Sequence, residues 1–282
     1  MSITEARMNL SSIFCLDSNH LQQIATTSRE AYAQAQPFPH IVIDNFLPEA
    51  LLNTALSEFP QVDSIDWQRF NNSVEKKNAS RDELQMGETI RILLYQLNSS
   101  TFIKFLETLT GIDGLIPDPH FVGGGLHQIE RGGFLKMHVD FNKHKTLKLD
   151  RRLNLLIYLN QDWQEEYGGN LELWDQDMTQ CEKKILPIFN RCVIFSTTDF
   201  SYHGHPNPLT CPEGQTRKSL ALYYYSNGRP AEEVSGGHST LFKTRPNEQL
   251  EPVSAKTMAI KAIAKKLVPP ILWEAGSHLR SK

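Results

Sequence analysis

Apolar and polar positions change rhythm twice along the 282 residues of this chain. Residues 21–35 (LQQIATTSREAYAQA) are good helix formers with few breakers, so a helix is expected there. Residues 40–43 (HIVI) read as a short strand, and Leu47-Pro48 opens a second helix with proline near its first turn. Helical spacing of apolar residues returns over 98–110 (LNSSTFIKFLETL). From about residue 116 to 230 the pattern becomes a succession of short β-type runs punctuated by glycine and proline: 125–130, 134–140, 152–160, 170–174, 191–196 and 219–226. Short strands with turn signals at this spacing predict a sandwich or small barrel, not βαβ units. Beyond 231 a connection rich in glycine and proline leads to an apolar stretch, 260–272, which lysines and Pro269-Pro270 interrupt, as in an amphipathic helix. The polar segment 71–81 (NNSVEKKNASR) has no apolar face and reads as a mobile loop. It and the strand entry with Gly132-Gly133, a glycine pair able to hinge, are the expected covering elements of any site.

Three zones follow: 1–115, a mixed helical support; 116–230, the β core; and 231–282, a C-terminal extension, all in one integrated domain. A chain this long buries a sizeable core without disulfides or structural metal. The formal net charge of −3 argues against a general nucleic-acid binder. Cysteines at 15, 181, 192 and 211 form no CxxC pair, so reduced thiols in a cytoplasmic protein are expected. The N-terminus lacks a basic region followed by a long apolar one, and no stretch has the length of a membrane span. Oligomeric state leaves no mark on the sequence.

His138-Val139-Asp140 is the first chemical signal. In a strand, residues two apart share a face, so an imidazole and a carboxylate project together. A facial triad of two histidines and one carboxylate on iron(II) needs one more imidazole and leaves three open positions, two for a 2-oxo acid and one for dioxygen. The second signal is His203, in FSYHGHP after the apolar run 192–195. His205 competes with it; preceding Pro206 in a bending loop, it reads as a surface or outlying residue. His144 reads as surface or near substrate. The third signal is Arg217, which opens RKSLALYYY. A guanidinium fork meets a carboxylate with two charge-assisted hydrogen bonds that lysine cannot reproduce. Alternation puts Arg217, Ser219, Ala221 and Tyr223 on one face and Lys218 on the other, where an exposed salt bridge is expected.

The ordered set His138-x-Asp140, Leu155 to Asn160, Trp163, Gly168-Gly169-Asn170-Leu171-Glu172-Leu173, His203 and Arg217-x-x-Leu-x-Leu-Tyr resembles the prolyl hydroxylase branch of the iron/2-oxoglutarate dioxygenases. The resemblance spans about 124–226. It implies an α+β chain with a mainly β core: a double-stranded β-helix (jelly roll) flanked by N-terminal helices and a C-terminal helical tail. It further implies that His138, Asp140 and His203 bind Fe(II), and that Arg217 and the Tyr158 hydroxyl hold the distal carboxylate of 2-oxoglutarate. Gln128 stands where some relatives carry a tyrosine and is a further candidate for contact with co-substrate or substrate. The stretch between His203 and Arg217 is longer than in animal oxygen-sensing members and reads as an inserted loop.

The implied activity couples oxidative decarboxylation of 2-oxoglutarate, with O2 as second co-substrate and ascorbate in support, to hydroxylation of an unactivated C–H bond. Proline, another amino acid, a peptidyl residue or a natural-product intermediate would fit as substrate. Asp140 speaks against a halogenase, whose site lacks the carboxylate. The rivals are a cupin-like metal-binding module and an oxygen sensor without metabolic turnover; a cupin would offer more histidines and would not need Arg217.

Overall fold

The computed structural model describes residues 16–246 and 248; the expected helix at 260–272 and Cys15 lie outside them. The helices are α1 (Ser18–Gln34), α2 (Glu49–Ser57), α3 (Glu88–Leu97) and α4 (Ser100–Thr110). Asp17 caps α1, its carboxylate accepting from the backbone N–H of Asn19 at 2.8 Å and of His20 at 3.1 Å. Such a cap satisfies donors that the first helical turn leaves without partners. Ser99 plays that part for α4, which stops at Gly111 in the left-handed conformation (φ 72°).

Among the described residues thirteen strands form one sheet rolled into a nearly closed barrel. They are β1 (His40–Ile43), β2 (Gln68–Asn71), β3 (Glu75–Ser80), β4 (Ile116–Pro117), β5 (Gly125–Ile129), β6 (Phe134–Val139), β7 (Asp150–Tyr158), β8 (Leu171–Trp174), β9 (Cys181–Ile185), β10 (Cys192–Ser196), β11 (His203–His205), β12 (Arg217–Ser226) and β13 (Leu241–Phe242). The order β1-β10-β7-β12-β5 makes the larger wall, β6-β11-β8-β9 the smaller, and β3 joins them; neighbouring strands run antiparallel. This is the jelly-roll architecture expected, with the helices on the outside of the larger wall.

Alternation along each strand explains the two-sided burial. On β10, Cys192 and Ile194 face the helices while Val193 and Phe195 face the interior. On β12, Leu220, Leu222 and Tyr224 pack with Phe102, Phe105 and Leu97 of the helices, and Ala221 and Tyr223 turn inward. Both faces being covered, these strands read as nearly continuous apolar runs.

The segment 71–81 is a correction. It is no mobile loop: Asn71 closes β2, and residues 75–80 form β3. Glu75 and Lys76 pair with Leu135 and Phe134 of β6, and Asn78 to Ser80 pair with Gln128 to Leu126 of β5. Its polar composition misled because its stability comes from backbone pairing on two sides and from the Asn78 amide donating to Glu130 at 3.2 Å. Gly132-Gly133 is likewise no hinge. It is a packed turn tied to Leu209 by reciprocal backbone bonds of 2.8 and 3.0 Å, and a Cβ on Gly133 would meet the Lys76 carbonyl oxygen at 2.7 Å.

Candidate active site

Two strands bring the acidic and imidazole side chains together. His138 and Asp140 share a face at the end of β6, and β11 pairs antiparallel with β6 so that His203 lies directly opposite His138. His203 Nε2 is 3.3 Å from Asp140 Oδ2, and His138 Nε2 is 3.7 Å from Asp140 Oδ1. One donor atom from each of the three lies within 4.8 Å of the others. The orientation of both rings is fixed from behind. His138 Nδ1–H donates to the Lys136 carbonyl at 2.8 Å and His203 Nδ1–H to the Ser201 carbonyl at 2.9 Å. Each Nε2 lone pair is then left to face the centre, the arrangement a metal ligand needs.

Asp140 is held as firmly. Its Oδ2 accepts from Arg151 Nη2 at 3.0 Å and from Asn154 Nδ2 at 2.7 Å. Burial alone would raise its pKa, but Arg151 and the two imidazoles outweigh this and hold the carboxyl well below the usual carboxylate range. Burial, with His203 alongside, pushes His138 down to about 3. A deprotonated carboxylate and a neutral imidazole are the forms that bind a divalent ion. The donor set, its protonation and its convergence therefore fit iron(II).

Arg217 opens β12 inside the barrel and is 5% exposed, a figure that matters because no acidic side chain among the described residues pairs with it. Its Nε donates to the Gly169 carbonyl at 2.9 Å, and its Nη2 lies 3.3 Å from the Tyr158 hydroxyl. Burial raises the pKa of Tyr158, so the phenol keeps its proton. A buried, unneutralised guanidinium is costly unless an anion completes it. Gly169 (φ +75°) is required here, since a Cβ would come within 2.7 Å of Leu209 and 3.0 Å of Arg217 Cδ. The inner chamber holding Arg217 has a volume of about 70 Å³, and an outer one of about 190 Å³ opens beyond the triad. Lys77, His127, Leu135, His138, Asp140 and Tyr223 border both.

The structure thus brings His138, Asp140, His203, Arg217 and Tyr158 to one place. It does not bring Gln128, whose side chain takes the opposite face of β5 and donates to Thr216 Oγ1 at 3.1 Å; His127 and Ile129 face the chamber instead. His205 is not in a bending surface loop: it is a buried residue of β11 lining the inner chamber. His144 is buried too, and its Nδ1 accepts from the N–H groups of Thr146 and Leu147. Lys218 forms no salt bridge among the described residues and lies 6.0 Å from the ring centre of Phe59.

Sequence reasoning missed Arg151 and Asn154. The signal was present as polar residues inside the otherwise apolar strand DRRLNLLIY. Also missed was residues 235–243, a strap over the site: β13 pairs with β6, the Phe242 ring lies 5.5 Å from that of His138, and Asn142 donates to Ser235 and Gly236.

Fold and site together define a jelly-roll enzyme whose centre offers two histidines and a carboxylate to one metal ion. Residues 124–225 match the 2OG-Fe(II) oxygenase superfamily, and the chain carries a 2OG-Fe(II) oxygenase domain with iron(II) and 2-oxoglutarate as its cofactors. A mouse relative, Prolyl 3-hydroxylase OGFOD1 (Mus musculus), is 28% identical over 204 residues, which is 70% of this chain and 35% of the relative. The chain thus spans about a third of that relative's length. Among solved structures, a Pseudomonas putida prolyl-4-hydroxylase matches with a TM-score of 0.50 and 15% identity, covering 74% of this chain and all of that one. A Trichoplax adhaerens prolyl hydroxylase, solved in complex with a hypoxia inducible factor oxygen degradation domain peptide fragment, matches with a TM-score of 0.50 and 18% identity, covering 79% and 94%. Both are shared folds.

Proposed function

We propose that this chain hydroxylates an unactivated C–H bond of a prolyl residue in a peptide or protein. The observation that carries the oxygenase part is the convergence of His138, Asp140 and His203 beside a buried arginine without an acidic partner among the described residues. In this reading His138, Asp140 and His203 hold iron(II), while Arg217 and the Tyr158 hydroxyl receive the distal carboxylate of 2-oxoglutarate. A cupin-like metal module would leave Arg217 without purpose. The prolyl part is supported by the mouse relative and by the outer chamber, where Phe70, Phe141, Tyr223 and Phe242 offer apolar walls to a pyrrolidine ring. Iron and co-substrate, when bound, supply the oxidising chemistry. The protein's own part is positional. Arg151 and Asn154 orient Asp140, the backbone carbonyls behind His138 and His203 orient the rings, and the apolar side chains of Leu156, Leu171 and Phe195 keep the inner chamber dry. A cytoplasmic site of action is supported by Cys181, Cys192 and Cys211, all free thiols.

Protein supplied with iron(II), 2-oxoglutarate and a proline-containing peptide library should release succinate and add one oxygen atom to particular prolines, and a chelator should stop both. Succinate release stimulated only by free L-proline would move the substrate from peptidyl to free imino acid. No release with any proline donor would remove the prolyl reading.

Gly169→Ala tests the seat of Arg217. The added methyl and the left-handed backbone should lower stability by roughly 1–3 kcal/mol. Displacing the guanidinium should also weaken 2-oxoglutarate binding by about tenfold, equivalent to ~1.4 kcal/mol. Thermal unfolding and calorimetric titration read the two effects separately.

A further inference from the structure

His205 is the one imidazole at the site whose position has no explanation so far. It shares a face of β11 with His203, two residues away, and lines the inner chamber together with Arg217. Gly204 between them faces the other way, against Leu135 and Lys136, where a Cβ would come within 2.8 Å of backbone oxygen. His205 is 4% exposed, yet neither Nδ1 nor Nε2 has a hydrogen-bond partner among the described residues. The neighbouring rings are unlike it: His138 and His203 each anchor Nδ1 on a backbone carbonyl, and His127 Nε2 bonds the Gly123 carbonyl at 3.0 Å. Buried polar atoms without partners are uncommon in native proteins and call for a ligand or a water. The same chamber holds Arg217, which no acidic side chain among the described residues pairs with, whereas Asp140 is met by Arg151 and Lys77 by Glu75, so an anion is the fitting guest beside Arg217.

The co-substrate's distal carboxylate has about four acceptor sites. Arg217 commits its Nε–H to the Gly169 carbonyl and one Nη2–H to the Tyr158 hydroxyl, so three of its five N–H groups remain for them. In either tautomer His205 carries one N–H, and it lines the same inner chamber as Arg217. We propose that His205 is a co-substrate-binding residue, donating a ring N–H to the distal carboxylate of 2-oxoglutarate beside Arg217. The inference rests on the oxygenase reading above. It gives the chain a third side-chain donor at that carboxylate and assigns His205 no part in holding the metal.

The test is equilibrium binding without turnover, on protein loaded with zinc(II) in place of iron(II). Calorimetric titrations would use 2-oxoglutarate and 2-oxobutanoate, which shares the metal-chelating end and lacks the distal carboxylate. His205→Phe should weaken 2-oxoglutarate binding by roughly ten- to a hundredfold, the usual worth of a hydrogen bond to a charged group. Zinc affinity and 2-oxobutanoate affinity should hold, and His205→Gln, which keeps an N–H, should recover part of the loss. If the phenylalanine variant does not fold, the glutamine variant and His205→Ala decide. Unchanged 2-oxoglutarate affinity in the folded variants overturns the proposal, and so does equal weakening of both oxo acids or loss of zinc. Wild-type protein that binds zinc but not 2-oxoglutarate would defeat the oxygenase reading itself, a result distinct from wild type and variant binding alike.

Discussion

His203→Ala is expected to end 2-oxoglutarate turnover and to weaken divalent-metal binding by more than about a hundredfold, beyond the loss usual for residues behind a metal ligand. A triad of two histidines and one carboxylate has no spare donor. Asp140 cannot compensate, because its Oδ2 already accepts from Arg151 and Asn154. His138→Ala and Asp140→Ala should behave alike. His205→Ala should keep its metal, since the His203 ring and not that of His205 stands 3.3 Å from the carboxylate. Manganese(II) binding followed by electron paramagnetic resonance, with circular dichroism as the folding control, checks the series. Metal retained in His203→Ala and lost in His205→Ala would exchange the two assignments.

Arg217 should give the second large effect. Arg217→Ala removes the buried cation that we propose receives the distal carboxylate, and truncating one partner of such a pair costs on the order of 2–5 kcal/mol. The dissociation constant for 2-oxoglutarate should therefore rise at least about thirtyfold at the lower end of that range. Arg217→Lys should recover little. An ammonium is a point charge, and it cannot both donate to Gly169 as Nε does now and present a planar fork to the ligand. Tyr158→Phe should cost less, since it removes a neutral donor. Affinity for 2-oxoglutarate unchanged in Arg217→Ala would transfer the role to Lys77, the other cation of the chamber.

The parts of this molecule that were legible in the sequence are those governed by period. The two-residue repeat placed His138 with Asp140, and Arg217 with Ser219 and Tyr223, and the observed strands confirm that sharing of faces. The order of motifs along the chain was enough for the jelly roll. Strand β3 was not legible, because a polar strand stabilised by pairing on both sides has no apolar signature to read. Gln128 was misplaced for a related reason: a one-residue change in register reverses the face of a strand, and only the pairing of β5 with β12 sets it. Arg151 went unnoticed because a charge in an apolar strand looks like an edge residue until Asp140 is seen beside it. Its stacking on Tyr223, with the guanidinium carbon 3.4 Å from the ring centre, depends on residues more than seventy positions apart.

The way β3 joins the walls bears on how the chain reaches its native state. Residues 75–80 enter the sheet against both β5 and β6, about fifty positions downstream. Long-range pairing of this kind raises contact order and slows folding, since loop closure must precede the contacts that reward it. Strand β6, which carries His138, would therefore complete its neighbourhood late, after the N-terminal segment has docked. Expression of residues 82–246 alone should leave an unpaired edge where β5 and β6 diverge, a template for joining other chains. The portion matching the oxygenase superfamily, residues 124–225, is on this account not severable from what precedes it. Insertions are better placed in the exposed turn before Glu75 than anywhere between Glu75 and Ser80.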